Sequence, residues 1–587
     1  MIPASSPRLG QFATRHAMSI TFIAAALCLA GIFSATHTPS SVFPQTDFPR
    51  VVILVNNGIM PADEMMATVT RPIEEVMKDI PGSVSVRSST ERGSAAINVF
   101  FDWNTDMPRS ELYVLGRLAE IRADLPATAS TEVSRLTFSA FPIVGISLTS
   151  SNRNLMDLWE TASYKLKPLF LQIPGVAKVE ITGGHVPEYH VIVDPVKLQA
   201  AHLGLQDVSD ALTKNNLVAP AGMIEENYHL YLTTVDGRVH SPEDIRKLVI
   251  AVNSGHPVQI HDVADVVRGP EPAYTVVTAQ GRDAVLLNIQ TQPNGSTLDI
   301  ASALKAQMQK LKEELPPDMH LAFFYDQSLF VSDSIGSVWD AITFGLILSV
   351  LILYFFLKNW GSVWTAIVTI PISVLITFVA MKLAGMSFNM MTLGGIAAAI
   401  GLIIDNAIIV VEAMCVKIAA GRPRLAGIQE AIGEILHALI GSTLTPVVVF
   451  LPLAFLTGVA GVFFRALALT MVVSLLTSLV LAVTLTPSLA AWLIREPKKT
   501  DGAPAGEEGG FILKRVLRIY ELAARWALRH YWLTMLACGV ILVASVFVYR
   551  QLETDFLPDF DEGGFVIDFN APPGTSLTET SRQLDQA

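Results

Sequence analysis

Apolar residues in this chain come in long unbroken runs. Seven of them, at about 17–36, 338–357, 363–383, 389–413, 435–457, 464–494 and 530–549, reach the length of roughly 20 residues that a helix needs to cross a bilayer. Between the first run and the second the pattern changes to short elements. "RVVILVNNGI" reads as a strand, and "PADEMMATVTRPIEEVMKDIP" as a helix with Pro61 in its first turn. "VSVRSST" and "AINVFFDW" form a hairpin around Glu91–Gly93. "MPRSELYVLGRLAEIRADLP" is a second helix and "EVSRLTFSA" a closing strand. The order β-α-β-β-α-β over 50–140 predicts a split βαβ sandwich. A second unit opens with "PIVGISLTSS", a helix over 154–173 and "AKVEITGG". It resumes with "AVLLNIQTQ", a helix over 296–315 and "HLAFFYD", so about 186–272 reads as an insertion.

These patterns predict a membrane α-helical bundle of seven spans carrying large α+β outer domains of split βαβ (ferredoxin-like) type. The expected divisions are 1–36 (N-terminus and first span), 37–140 (first outer subdomain), 141–185 and 273–337 (two parts of a second), and 186–272 (the insertion). Spans two to six follow over 338–494, a linker and amphipathic helix over 495–529, the seventh span over 530–549, and the start of another outer domain over 550–587.

Arg8 and Arg15 precede the first run, as in a signal peptide. The run is longer than a signal core and has an uncleaved twin, so it is read as an anchor. The twin belongs to a repeat at an offset of 514 residues. Arg15-His16 matches Arg529-His530, Pro44 matches Pro558, Asp47 matches Asp561, and "VVILVN" at 51–56 matches "FVIDFN" at 565–570. One complete half and the opening of another are expected, as in transporters built from repeats.

Positive charge orients the spans. With the N-terminus inside, Arg8, Arg15, Lys417, Arg422, Arg424 and the basic cluster after residue 494 are cytoplasmic, and the short outer loops carry only Lys382 and Arg465. The link 495–513 is rich in Pro, Gly and charge and reads as a loop. "KRVLRIYELAARWALRH" is basic and amphipathic, as expected of a helix on the inner membrane surface. Composition adds one exclusion. Net charge is -12 with 51% hydrophobic and 16% charged residues, and mean hydropathy is +0.45. This balance argues against a nucleic-acid partner, which requires a basic face. Cys28, Cys415 and Cys538 lack metal or disulfide spacing and read as packed hydrophobes.

In "IGLIIDNAIIVVE", residues 400–412, an acid and an amide stand inside an apolar span. An ionised Asp405 at a bilayer centre costs about 2.5 to 3.5 kcal/mol on insertion scales. No Lys or Arg lies mid-membrane in any of the seven runs. Desolvation without a counter-ion favours the neutral acid, and a carboxyl so poised can take up and release a proton. Asn406 cannot titrate, which fits one proton better than two. Glu412 lies two turns on, on nearly the same face, as a candidate proton path or an interfacial acid that reaches water. Gly394, Gly395 and Gly401 admit a neighbouring helix, and Pro446 and Pro452 predict kinks.

The chain resembles the resistance-nodulation-division (RND) superfamily of proton-driven efflux pumps. "GLIIDNAIIVVE", "TLTPVVVFLPLAFLTGVAGVFFRALALT", "SLVLAVTLTPSLAAWLI" and "DPVKLQAAHLGLQDVSDALTKNN" followed by "PAG" carry the resemblance, in family order. It implies a secondary transporter rather than an enzyme, driven by the proton gradient without a cofactor. It also implies a homotrimer in the bacterial inner membrane with its large domains in the periplasm, working with a periplasmic adaptor and an outer-membrane channel. Asp405 and Asn406 then form the proton-translocation site. Many drug exporters carry a second aspartate where this chain has Asn406. Phe138 and Phe141 lie near the family's pocket phenylalanines, or are core aromatics at a strand end. Drug or amphiphile export is the expected activity. Heavy-metal export is the alternative, through Met386, Met390 and Met391 as soft ligands, although membrane methionines mostly pack. "FLPDFDEGG" with "APPGTSLTET" leans toward the metal branch. A non-transporting fragment or a protein- or lipid-handling relative is the reading from another class.

Overall fold

The computed structural model describes residues 8–253, 256–357, 360–494, 511–553, 566–572 and 574–586. The chain divides into two units. One holds the apolar helices and a first sheet, and the other comprises Val144–Ile289, Leu304–Tyr325 and Ile567–Ala587.

The first unit opens with a short helix, Arg8–Arg15, followed by helix α1 (Ala17–His37). Strand β1 (Asp47–Asn56) follows, with Val51, Ile53 and Val55 buried on one face. Helix α2 runs from Ala62 through a π turn at Met66–Thr70 to Lys78. Its Met65, Val69, Ile73 and Met77 recur every four residues and are all fully buried. Strands β2 (Ser83–Glu91) and β3 (Ser94–Phe101) form a hairpin whose turn uses Gly93 at φ 72°, where a left-handed backbone suits glycine. Helix α3 (Met107–Glu120) starts where the Asp106 side chain accepts a bond from the Arg109 N–H. Strand β4 (Ser130–Thr137) closes the sheet in the order β2-β3-β1-β4. The β1–β3, β1–β4 and β2–β3 pairs are antiparallel. Both helices bury their apolar stripes in one core with β1 and β3, joined by Val114 and Leu118 of α3. Arg135 of β4 pairs with Asp47 at 2.9 Å and Glu111 at 2.8 Å, tying together β4, β1 and α3.

The second unit is built alike. Strand β5 (Pro142–Ser150), helix α4 (from Leu155 through a π turn at Thr161–Leu166 to Leu171) and strand β6 (Val176–Gly183) come first. An excursion separates them from the other strands. In it β7 (Pro187–Val193) pairs antiparallel with β10 (Ala264–Pro270). Between these, the Asp194 carboxylate caps a short helix at Pro195–Ala200, and strands β8 (Val218–Glu226) and β9 (His229–Asp236) make a hairpin. The hairpin turns on Asn227 and Tyr228, both at positive φ, and nearly all its residues are exposed. Strand β11 (Arg282–Thr291), helix α5 (Thr297–Glu314) and strand β12 (Met319–Asp326) complete the element order. The sheet has five strands: it runs β6-β11-β5-β12, and the short strand Thr278–Ala279 also pairs with β11.

The remaining helices belong to the first unit. They are α6 (Gln327–Leu357), α7 (Trp360–Leu383), α8 (Met390–Ala419), α9 (Arg424–Phe450), α10 (Gly458–Leu493), α11 (Phe511–Arg529) and α12 (Tyr531–Tyr549). With α1, six of them give seven helices among the described residues that are long and apolar enough to cross a membrane; α11 is the exception. Three differences from the sequence reading have physical causes. α6 starts at Gln327, eleven residues before its apolar run, because "QSLFVSDSIGS" has no proline and a helix need not stop where hydrophobicity does. The run at 435–457 is two elements: α9 contains Pro446, and Pro452 falls in a 3₁₀ turn, Leu451–Phe455, that ends the helix. Residues 566–570, expected to repeat β1, form no strand, since an isolated strand has no ladder partner. The linker 495–510 and the repeat positions Pro558 and Asp561 lie outside the described residues.

Hydroxyls line the centre of the bundle. Thr365, Thr369, Ser373 and Thr377 of α7 are buried, and each donates to the carbonyl four residues earlier at 2.8–2.9 Å. Thr470 and Ser474 of α10 do the same. Such small side chains satisfy themselves locally and allow close helix contact.

Candidate functional site

α8 carries the residues singled out from the sequence. It starts at a firm cap: Asn389 accepts from the Met391 and Thr392 N–H groups, both at 3.0 Å. From there one face is buried at helical spacing, through Gly395, Ala399, Ile403, Asn406, Val410 and Met414. The opposite face, including Gly394, Ala398, Gly401, Asp405 and Glu412, is uncovered.

Asp405 and Asn406 therefore point to different surroundings. Asn406 is buried, 4% exposed. Its Nδ2 donates to Ser478 Oγ of α10 at 3.3 Å, and its Oδ1 accepts from Thr443 Oγ of α9 at 3.4 Å. One amide thus links three helices. Asp405 points away from the helices that hold Asn406. Its side chain is exposed on the open face, with no ion pair among the described residues. Chain neighbours define what flanks a residue along a helix axis, whereas the angle around the axis decides what covers it. Glu412 shares the open face. Gly395 meets α10 closely: a Cβ there would stand 2.9 Å from the Leu467 carbonyl oxygen. Gly394 and Gly401 face open space, so of the three glycines only Gly395 serves packing within this chain.

The two phenylalanines also separate. Phe138 stands in a short turn after β4 and packs on Phe43, Phe48 and Phe463 with ring centroids 4.8, 4.9 and 5.8 Å away. Phe463 lies on α10 and is 3% exposed. These rings join the first sheet to a membrane helix. Phe141 is 55% exposed and outside that cluster. Met390 and Met391 form the first turn of α8, half-buried. The cysteines are free thiols, and Cys415 Sγ lies 2.8 Å from Ser362 Oγ.

A family model described as the AcrB/AcrD/AcrF family matches residues 9–587. The chain belongs to that family. Multidrug resistance protein MdtC of Yersinia pestis (strain Angola) is 28% identical over 571 residues, which is 97% of this chain and 56% of the relative. MdtC of Yersinia pseudotuberculosis (serotype O:3, strain YPIII) is 28% identical over 570 residues, with the same coverage. The chain spans about half the length of the curated relatives it matches. The AcrB/AcrD/AcrF family is one of RND transporters, so the resemblance read from the motifs holds, and the family is one of membrane transporters rather than enzymes.

Sequence reasoning missed Thr443 and Ser478 as partners of Asn406. Ser478 was visible as the third member of the spacing Thr470, Ser474, Ser478, but nothing in the sequence paired that stripe with Asn406. The partners of Phe138 are likewise far apart in sequence and carried no shared signal.

Proposed function

We propose that this chain works in a proton-driven RND pump that exports drugs or other amphiphilic molecules, with Asp405 as the group that takes up and releases the proton. The observation that carries the reading is the division of labour at 405 and 406. A titratable carboxylate stands on an uncovered face of a membrane helix, beside an amide pinned to two other helices. All seven long apolar helices cross the inner membrane, and the two sheet-and-helix units are split βαβ domains on the periplasmic side. Their strand orders and paired helices support this. The resemblance to RND pumps supports assembly into a homotrimer. The family supports a periplasmic adaptor and an outer-membrane channel as partners.

Once another helix covers it inside the membrane, a carboxylate releases its proton readily only if its anion is stabilised, which an opposite charge within about 4–6 Å provides. The open face of α8, with small residues at 394, 398 and 401, suits another helix, and a Lys or Arg on that helix would supply the charge. Protonation of Asp405 then removes an attraction and lets helices move. α8 packs along α10, and the Phe463 cluster at the end of α10 carries a shift into the first sheet. Two tests arise here. Phe463→Leu keeps apolar bulk but removes the ring contacts, which are worth about 0.5–1.5 kcal/mol per pair beyond area. Transport in the complete protein is expected to fall about fivefold at unchanged expression and thermal stability; wild-type transport would remove the cluster from the mechanism. Asn406→Asp sets two carboxylates side by side, so each titrates in the other's field. Transport is expected to persist with its pH profile displaced by about one unit, read from drug efflux at stepped external pH. Complete loss would give Asn406 a further role, and an unmoved profile would place the proton elsewhere.

A further inference from the structure

The short outer loops hold only two cations, Lys382 and Arg465, and both line one cleft of about 460 Å³. Lys382 comes from the end of α7 and Arg465 from the first turns of α10, so two separate helices aim charge at the same place. His37, at the end of α1, lines the cleft too. No Asp or Glu is in its wall. Among the described residues neither Lys382 nor Arg465 has a carboxylate partner; Lys382 Nζ instead lies 4.4 Å from the centre of the Phe33 ring. Cations at the other end of the bundle are different. Lys417 lies 2.5 Å from Glu434 and 3.3 Å from Glu430, and Arg422 is 3.3 Å from Glu430. The first N–H groups of α8 are already taken by Asn389, so the cleft's positive character rests on side chains. One wall is apolar, with Val462, Ala466 and Leu469 of α10.

We infer that this cleft binds the phosphate of an anionic phospholipid headgroup from the outer leaflet, with the acyl chains leaving along α10. Unpaired cations on the outside of a membrane protein run against the usual charge bias. Their convergence on one carboxylate-free cleft at the ends of membrane helices gives them a shared ligand. The volume falls within the range of small-molecule sites, about 300–1,000 Å³, and the apolar wall suits a lipid better than a free ion. The inference uses the membrane orientation proposed above but not the export activity, so it stands or falls separately from Asp405.

The test is native mass spectrometry of the full-length protein, purified in mild detergent and titrated with phosphatidylglycerol, phosphatidylcholine or glycerol phosphate. A saturable phosphatidylglycerol site is expected. Each basic contact near a membrane surface is worth about a fivefold change in affinity, so Lys382→Gln or Arg465→Gln weakens binding about fivefold and the double variant about thirtyfold. Lys382→Arg with Arg465→Lys keeps both charges and is expected to keep most of the binding; it also serves as the folding control should the neutral pair not fold. Phosphatidylglycerol retention unchanged in the double variant overturns the assignment. So does glycerol phosphate binding as tightly as the lipid, which would make this a site for a soluble phosphate, and so does equal affinity for phosphatidylcholine.

Discussion

Cells expressing the complete transporter with Asp405→Asn are expected to accumulate a fluorescent drug to the level of cells with no pump, with transport down at least about a hundredfold at normal membrane expression. The size of the effect rests on chemistry rather than packing. Asn has nearly the shape of Asp and keeps its hydrogen-bonding capacity, but it cannot exchange a proton. Asp405 lies on the uncovered face of α8, without an ion pair among the described residues, so the substitution removes no packing from this bundle. A carboxyl placed there as a neutral hydrogen-bonding group would tolerate Asn. One placed there to titrate would not, and intramembrane acids are costly enough to be retained mainly for function. Near-normal drug exclusion by the variant would remove Asp405 from the mechanism.

The second large effect is structural. α1 crosses α7 at Gly31, which is buried, and a Cβ there would stand 2.5 Å from the Leu375 carbonyl oxygen and 2.8 Å from its carbonyl carbon. The clash is with backbone, which has no rotamer to yield. Gly31→Val is therefore expected to push α1 away from α7 and to lose most of the folded protein, measured as the monodisperse peak of a fluorescent fusion on gel filtration. Gly116→Ala is the contrast. It lies inside α3 with nothing within 4 Å of the added carbon, and Ala favours a helix over Gly by about 1 kcal/mol. That variant is expected to keep or slightly raise the yield. Equal yields from Gly31→Val and wild type would mean that the α1–α7 crossing is looser than described.

The sequence carried the element order well because each element has a strong local signature. The four-residue spacing of Met65, Val69, Ile73 and Met77, the alternation of Val51, Ile53 and Val55, and the caps at Asp106, Asp194 and Asn389 are all local signals. Helix ends were less legible. Hydrophobicity marks where a helix meets lipid, but α6 runs eleven residues past that point on its polar side. The site was legible by residue type and not by direction. "IIDNAII" announces a costly polar pair, yet only the angle around α8 separates a pinned Asn406 from an uncovered Asp405. Long-range partners were invisible for the same reason. Thr443, Ser478 and Phe463 meet Asn406 and Phe138 through helix packing, which no local pattern encodes.

The central claim is that one proton at Asp405 is exchanged for exported drug, and the most direct test measures both fluxes together. The complete transporter would be reconstituted in proteoliposomes holding a pH-sensitive dye, with a pH difference imposed and drug then added on the side from which it is exported. The account predicts that drug addition accelerates proton movement down its gradient in the wild type, and that Asp405→Asn binds drug but shows no drug-dependent proton flux. Drug-dependent proton flux of equal rate in wild type and Asp405→Asn would contradict it.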